Sequence, residues 1–348
     1  MRLDSTQLAV SKTCESSFNT PETSALNYVD LPTTEAFFIL PKVEKVSDAG
    51  RVGRNAATHL CNTYWQHAEV AVKDDLNSGV PANLTRRGLG GAATATLVAA
   101  GVFDQTFAIL PPQVGSILPS FNLVAILGEA DFLLAGMMTD KLKFSQKGAN
   151  RVQYEANLVG SGKFTNPSAI AIPSPVDIAC FDGFRTVVKY MTVGKAATVN
   201  LSDLGKIVEW SVEHDNKIQR NKRRTGDPIQ TVAGSSAAHV RRQPRGKYET
   251  KGQIVLDFDD LTDWLRSVKN DVLEDLSFLT KGSKIANVGG VDYFNEFEII
   301  VPKFSFDSPD TGDDEGDATT PINIIPLEDP ITKGTLKVRV RSAAPTLV

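Results

Sequence analysis

The acidic run Asp307–Asp317 is the stretch whose residue types and spacing come closest to a ligand-binding motif. A calcium-binding loop needs oxygen ligands at alternating positions, a glycine at the sixth position and a glutamate at the twelfth. Gly312 occupies the sixth position, but Pro309 and Thr311 stand where ligands belong and Ala318 is the twelfth residue. The spacing therefore favours a solvated acidic loop, and cation binding there is left open.

The remaining reactive residue types do not assemble into a catalytic set. Gly88-Leu89-Gly90-Gly91 lacks the Lys-Ser/Thr ending of a phosphate-binding loop, and no βαβ pattern follows it. The histidines and cysteines have no metal-type spacing with one another, and the cysteines predict free or buried thiols, not a disulfide framework. The histidines are His59, His67, His214 and His239, and the cysteines are Cys14, Cys61 and Cys180. We therefore expect no enzyme, no cofactor and no metal centre.

A basic segment over residues 217–247 is the strongest candidate for electrostatic binding. It has no interleaved aromatic residues before Tyr248, so base stacking on a nucleic acid is not indicated. The chain as a whole carries a formal net charge of -4, which also argues against general nucleic-acid binding. An acidic protein surface is an equally good partner, and the acidic run of a second copy would fit. The contact candidates are Arg220, Lys222, Arg223, Arg224, Arg241, Arg242, Asp310, Asp313, Asp314 and Glu315.

Alternating strands must position these charged segments. The clearest is a hairpin that turns at residues 147–150 and continues to about residue 159, since apolar and polar residues alternate on both sides of a Gly/Asn turn. A second alternating strand around residues 206–216 runs into the basic segment. The apolar positions of these strands, which we take as candidates for the wall of an assembly, are Leu142, Phe144, Val152, Tyr154, Leu158, Val208, Trp210 and Val212.

The C-terminal stretch predicts a strand, one helix and several further strands. Ile254, Leu256 and Phe258 share one face of the first strand. Leu261 begins an apolar stripe at helical spacing that includes Trp264, so an amphipathic helix is expected over 261–272. Strands are expected at 276–278, 297–306, 321–327 and 336–340. The fold class is mainly β, an antiparallel β-sandwich or barrel with a flanking α-helix.

The 348 residues, of which 41% are hydrophobic, suffice for two domains. We expect a flexible N-terminal arm over 1–33, a β unit over 34–165, a Pro/Ser linker over 166–177 and a second β unit over 178–348. Two tandem units of one type are an open alternative, since no residue-level repeat is visible. The sequence has no apolar span long enough to predict a membrane segment.

Three stretches resemble the major tail tube proteins of long-tailed, siphovirus-like bacteriophages. They are the hairpin Met138–Gly160, the strand and polar loop Leu201–Asn216, and the strand–helix–strand unit with its closing strands over 246–342. The resemblance covers about two-thirds of the chain and consists of strand patterns, without catalytic signatures. It is weakest over residues 1–60.

The resemblance implies a structural virion protein that assembles in the bacterial cytoplasm into stacked rings. Such a homo-oligomer forms the hollow tail tube, in hexameric rings or in trimeric, pseudo-hexameric rings if the chain holds two units. Its partners are the tape measure, terminator and distal tail proteins, and DNA passes through the lumen without specific binding. The alternatives are another ring-forming tail component, such as a terminator or baseplate hub, and a β-sandwich carbohydrate-binding module, which would need exposed aromatic residues on a strand face.

Overall fold

A computed structural model describes residues 6–22, 24, 27–33, 35–39, 43–48, 59–65, 67–90, 94–109, 118–127, 131–165, 178–201, 207–219, 229–232, 235–238, 243–257, 272–307, 312–314, 317–330 and 334–344. The α-helix of this part of the chain is α1 (Val80–Leu89), and short 3-10 turns lie at Gly183–Arg185 and Val193–Lys195. The strands are β1 (Thr6–Ser11), β2 (Tyr28–Asp30), β3 (Glu35–Ile39), β4 (Val43–Asp48), β5 (His59–Trp65), β6 (Ala68–Asp75), β7 (Thr94–Ala99), β8 (Val102–Ala108), β9 (Phe121–Leu127), β10 (Asp131–Lys147), β11 (Gln153–Gly160), β12 (Phe164–Thr165), β13 (Thr186–Met191), β14 (Thr198–Asn200), β15 (Ile207–Asp215), β16 (Ile229–Val232), β17 (Ser235–Ala238), β18 (Glu249–Asp257), β19 (Leu273–Val288), β20 (Val291–Phe306), β21 (Gly312–Asp314), β22 (Asp317–Pro326) and β23 (Lys337–Ser342).

Most strands belong to two antiparallel layers. Layer one has the strand order β3-β6-β11-β10-β15-β18-β22. Layer two has the order β14-β13-β19-β20-β23-β8-β7. The two are joined where the end of β20 pairs with the end of β22, through Phe304 and Pro326. Among the described strands this path of pairings does not return to its start, so the sheet is open and not closed into a barrel.

Aromatic side chains from both layers meet in the core. The ring of Phe144 on β10 lies 5.5 Å from the ring of Phe297 on β20, and Trp210 on β15 lies 4.7 Å from Phe278 on β19. All four side chains are buried. Burying a side chain of this size stabilises a fold by roughly 2–3 kcal/mol. The expected mainly-β, sandwich-like class with a flanking helix is therefore confirmed.

The predicted hairpin is present as β10 and β11. Phe144 pairs with Tyr154 and Leu142 with Ala156, and the chain turns at residues 148–150. A bulge between Thr139 and Lys141 then shifts the register. The sequence indicated a separate short strand at 132–134 before the hairpin, whereas the structure joins both into one strand that begins at Asp131 and pairs there with β9 and β12. β10 thus serves two sheets.

The strands β19 and β20 are longer than the sequence indicated. They form one antiparallel hairpin of two 16-residue strands that turns at Gly289 and Gly290. These glycines have φ angles of 60° and 82°, a left-handed conformation that glycine adopts without steric cost. A Gly-Gly pair between two strand patterns is a hairpin signal, and sequence reasoning missed it here.

Helix α1 contains Gly88, and a glycine inside a helix weakens it. Tertiary packing overrides that weakness, since all its residues except Arg86 are buried and it packs against β8 and β10. A Cβ atom at Gly88 would lie 2.8 Å from Leu142 Cδ1, so glycine permits the close approach of helix and strand. The following segment is the exposed strand β7.

Residues 1–33 were expected to form a flexible arm, but the described residues among them pair with the rest of the fold. Strand β1 pairs with β2 and β9, and Leu8, Ala9 and Val10 are fully buried. The Glu15 carboxylate accepts hydrogen bonds from Gly136 N at 2.7 Å and from Ser120 Oγ at 2.6 Å. This segment is therefore part of the fold, because its short apolar run completes a sheet formed by distant residues.

Two expected features lie outside the described residues: the linker over 166–177 and nearly all of the helix over 261–272. The division into two β units stays a prediction. Pairings connect strands of both expected units, as in β10 with β15 and β8 with β23.

Candidate assembly surfaces

The predicted wall residues lie in the core of the sandwich. All of them except Val208 are buried, so their side chains face the opposite layer and not a channel. Val208 is half-buried because it lies at a bulge, where Ile207 pairs with Leu256 and Glu209 with Val255. These residues hold layer one together, and its outer face carries the alternate side chains.

A row of opposite charges crosses this outer face. Lys73 on β6 is directly opposite Glu155 on β11, and Glu155 is opposite Lys143 on β10. Lys143 is opposite Glu213 on β15, and Glu213 is opposite Lys251 on β18. Directly paired residues in antiparallel strands share a face, and opposite charges there stabilise the pairing. We call this row the charge ladder.

A neighbouring row is also polar. Toward one side, Ser145 is opposite both Gln153 and Ser211, and Gln253 donates a hydrogen bond to Asn323 Oδ1 at 3.3 Å. The outer face carries Lys73, Lys141, Lys143, Lys147 and Lys251 against the acids Glu69, Asp75, Glu155, Glu209, Glu213, Asp215 and Glu249. Acids exceed lysines on this face, so it offers no continuous basic path for a polyanion.

The two oppositely charged segments leave opposite ends of layer one. At the end we call the basic end, Asp215 of β15 pairs with Glu249 of β18, and the basic segment connects these strands. At the end we call the acidic end, Asp257 of β18 pairs with Thr319 of β22, and β21 pairs back on β22 through Asp314 and Asp317. The nine-residue strand β18 separates the two ends, a distance of about 30 Å at the usual rise per residue.

Buried polar groups fix the base of the basic segment. His214 and Asn216 are fully buried, and Asn216 Nδ2 donates to the carbonyl oxygens of Gly88 and Thr139 at 2.8 and 3.0 Å. Burial, together with the positive charge of Arg245, lowers the pKa of His214 to about 3. The guanidinium of Arg245 lies 4.6 Å from the ring centre of Tyr248. His214 is therefore neutral, and this cluster ties the segment to α1 and β10.

Most contact candidates fall outside the described residues. They include every arginine and lysine named for the basic segment, together with Asp310 and Glu315. Asp313 and Asp314 are described as backbone in β21, which places them at the acidic end. The two ends of the basic segment lie near each other, since the backbone N–H of Gln219 donates to the carbonyl oxygen of Pro244 at 3.1 Å.

The outer face of layer two carries a compact ion network instead of a ladder. Arg339 donates to Glu298 at 2.7 Å, to Glu296 at 3.0 Å and to Asp104 at 3.1 Å. Arg341 binds Asp104 at 2.6 Å. Burial opposes the charged form of Arg339, but the surrounding carboxylates raise its pKa. Burial also opposes the charged form of Asp104, but the two arginines outweigh that effect and lower the pKa of Asp104. Sequence reasoning missed this network because its members come from three separate strands.

Exposed aromatic residues on a strand face, which a carbohydrate-binding module would need, are not seen among the described side chains. Trp210 is buried, and Phe184, which is 67% exposed, lies in a 3-10 turn. The described residues also hold no cluster of three or more metal-ligating side chains. No helix in the described part of the chain is long and apolar enough to span a bilayer.

Comparisons with known proteins do not identify a family. No family model matches the sequence, and no curated protein matches it significantly. The functional argument therefore depends on the geometry of the surfaces described above.

Proposed function

We propose that this chain is a structural subunit of a hollow phage tail tube, and that copies of it form rings which stack through their basic and acidic ends. The observation that carries the proposal is the placement of two oppositely charged segments at opposite ends of one sheet. Such a subunit presents complementary charge to the copies above and below it. Heterologous contacts of this kind extend into a filament.

The outer face of layer one supports the same proposal. In the tube it would face the channel, since it is mixed in charge with an acidic excess. Binding to DNA draws on neutralisation of phosphates by lysine and arginine. Because each lysine of the charge ladder lies beside a carboxylate, this face would let DNA pass without retaining it. The proposal involves no catalysis and no cofactor, and places the protein in the virion.

A matched set of charge variants tests the stacking. Variant one carries Arg223→Glu, Arg224→Glu, Arg241→Glu and Arg242→Glu. Variant two carries Asp310→Lys, Asp313→Lys, Asp314→Lys and Glu315→Lys. We expect each variant alone to form rings that do not stack, as seen by negative-stain electron microscopy and by sedimentation.

Two controls separate charge complementarity from misfolding. An equimolar mixture of the two variants should stack again, since each then meets a partner of opposite charge. A single chain that carries all eight substitutions has its net charge restored and should form tubes alone. Unchanged stacking by either single variant would contradict the electrostatic contact, and a wild-type chain that stays monomeric at high concentration would overturn the proposed function.

A further inference from the structure

Strand β7 is an open sheet edge in the part of the chain that the structure describes. It pairs with β8 alone among the described strands. Side chains on both of its faces are exposed, including Leu97 at 62% and Val98 at 40%. Its sequence, Thr-Ala-Thr-Leu-Val-Ala, contains no charge and no proline. Natural sheets protect their edges with charges, prolines, bulges or covering elements, and an edge without them is a template for another strand. β7 has a register shift between Leu97 and Ala99, but it carries no charge and no proline.

Strand β3, at the other end of this series of paired strands, is also an open edge in the described structure. Strand β3 pairs with β6 alone, and the pairings run without interruption from β3 to β7 through both layers. β3 has five residues and β7 has six. In these two layers, the other described strands with a single partner, β14 and β21, have three residues each. The two long open edges therefore match in length.

We propose that β7 of one copy pairs with β3 of the next copy, head to tail, and that this contact closes the ring; the inference rests on the proposed ring assembly and specifies its lateral contact. A second copy is the partner because every chain brings one edge of each kind. A head-to-tail contact uses both edges of every copy and leaves none open once the ring closes. A symmetric β7–β7 contact would leave both β3 edges of the dimer unpaired.

Two edge variants test the contact. The first, Leu97→Lys with Val98→Lys, puts charge on β7, where both side chains already face solvent. The second is Phe37→Lys on β3, where the register places residue 37 opposite Ala71, which belongs to the outer face of layer one. Each variant alone should lose rings and remain monomeric in analytical ultracentrifugation. Thr106→Lys on β8 is the control, since Thr106 is exposed but lies one strand inside the edge; it should form rings normally.

Mixing the two edge variants distinguishes the possible contacts. One intact β7 and one intact β3 remain in the mixture, so a head-to-tail contact predicts dimers and nothing larger. Dimers of the β3 variant by itself would show a symmetric β7 contact and overturn the inference. Rings formed by the Leu97→Lys/Val98→Lys chain would also overturn it while leaving the proposed tube function intact. Circular dichroism melting checks the fold of each variant, and Ile39→Lys replaces Phe37→Lys if the latter does not fold.

Discussion

The outer faces of the two layers use the same charged residue types in different arrangements. On layer one, the charge ladder spreads single charges across five strands, and its members are half-buried or exposed. On layer two, Arg339 and Arg341 converge on three carboxylates, of which Glu296 and Glu298 are buried. Charges that remain in water gain little from pairing, whereas a buried charge depends on its partner. The comparison indicates that layer two uses its charges for stability, and that the charges of layer one are available for contact with other molecules.

The largest effect should follow removal of the central cation of the layer-two network. In Arg339→Met, three carboxylates lose their shared partner, so we expect the free energy of unfolding to fall by about 3 kcal/mol. Chemical denaturation measures this change. Lys143→Met in the charge ladder is the matched control, and an equal loss in both variants would contradict the difference between the faces.

An intermediate effect should appear in the pH dependence of stability. Because the pKa of Asp104 is lowered in the folded state, its contribution is complete above the unfolded value of 3.8 and is lost as the pH falls through the folded value. The wild type should therefore exceed Asp104→Asn in stability at about pH 6, and the difference should shrink toward about pH 2. Denaturation series at several pH values provide the test, and a difference that does not vary with pH would count against it.

A smaller effect is expected within layer one. Lys141 and Glu213 form an ion pair at 2.9 Å with both side chains about one-third exposed. Solvent screening reduces such a pair to less than about 1 kcal/mol. A double-mutant cycle with Lys141→Met and Glu213→Gln should give a coupling energy of about 0.5 kcal/mol or less. A coupling as large as that of Arg339 with Glu298 would remove the distinction between the two faces.

The smallest effect on the isolated subunit should be that of salt. Raising NaCl to about 0.5 M screens exposed charges, so the stability of the subunit should change by only a few tenths of a kcal/mol. Stacking should weaken much more, because the proposed contact between the basic and acidic ends is electrostatic. Light scattering of assembled tubes and denaturation of the subunit, measured in the same buffers, compare the two. Tubes that resist salt would point to an apolar stacking contact.

The alternation of apolar and polar residues predicted the strands in which it occurs. The hairpin of β10 and β11, the strand β15 and the strand β23 all follow from apolar residues at every second position, since the buried face of a strand imposes that period. Helix α1 was not predicted because Gly88 lowers its helical preference and its burial depends on strands far along the chain. The exposed half of the β19–β20 hairpin was missed because no core face patterns its residues.

The candidate surfaces were less predictable than the strands. The charges of the basic and acidic segments are visible in the sequence, but their positions at opposite ends follow only from the strand order. The charge ladder depends on pairings such as Lys73 with Glu155 and Glu213 with Lys251, which connect residues remote in sequence. Register between distant strands is set by the whole sheet, so no local pattern reveals it.

The pairing of β8 with β23 has a consequence for the synthesis of the chain. Phe107 pairs with Val338, so one edge of β8 lacks its partner until residue 338 has been made. Chains are synthesised at about 5–20 residues per second, so this edge of β8 stays unpaired for on the order of ten seconds or more. Contacts of such large sequence separation also form slowly. Ribosome-bound chains would therefore need to be kept apart from one another. Truncation just before Lys337 should yield a protein that aggregates as it is made.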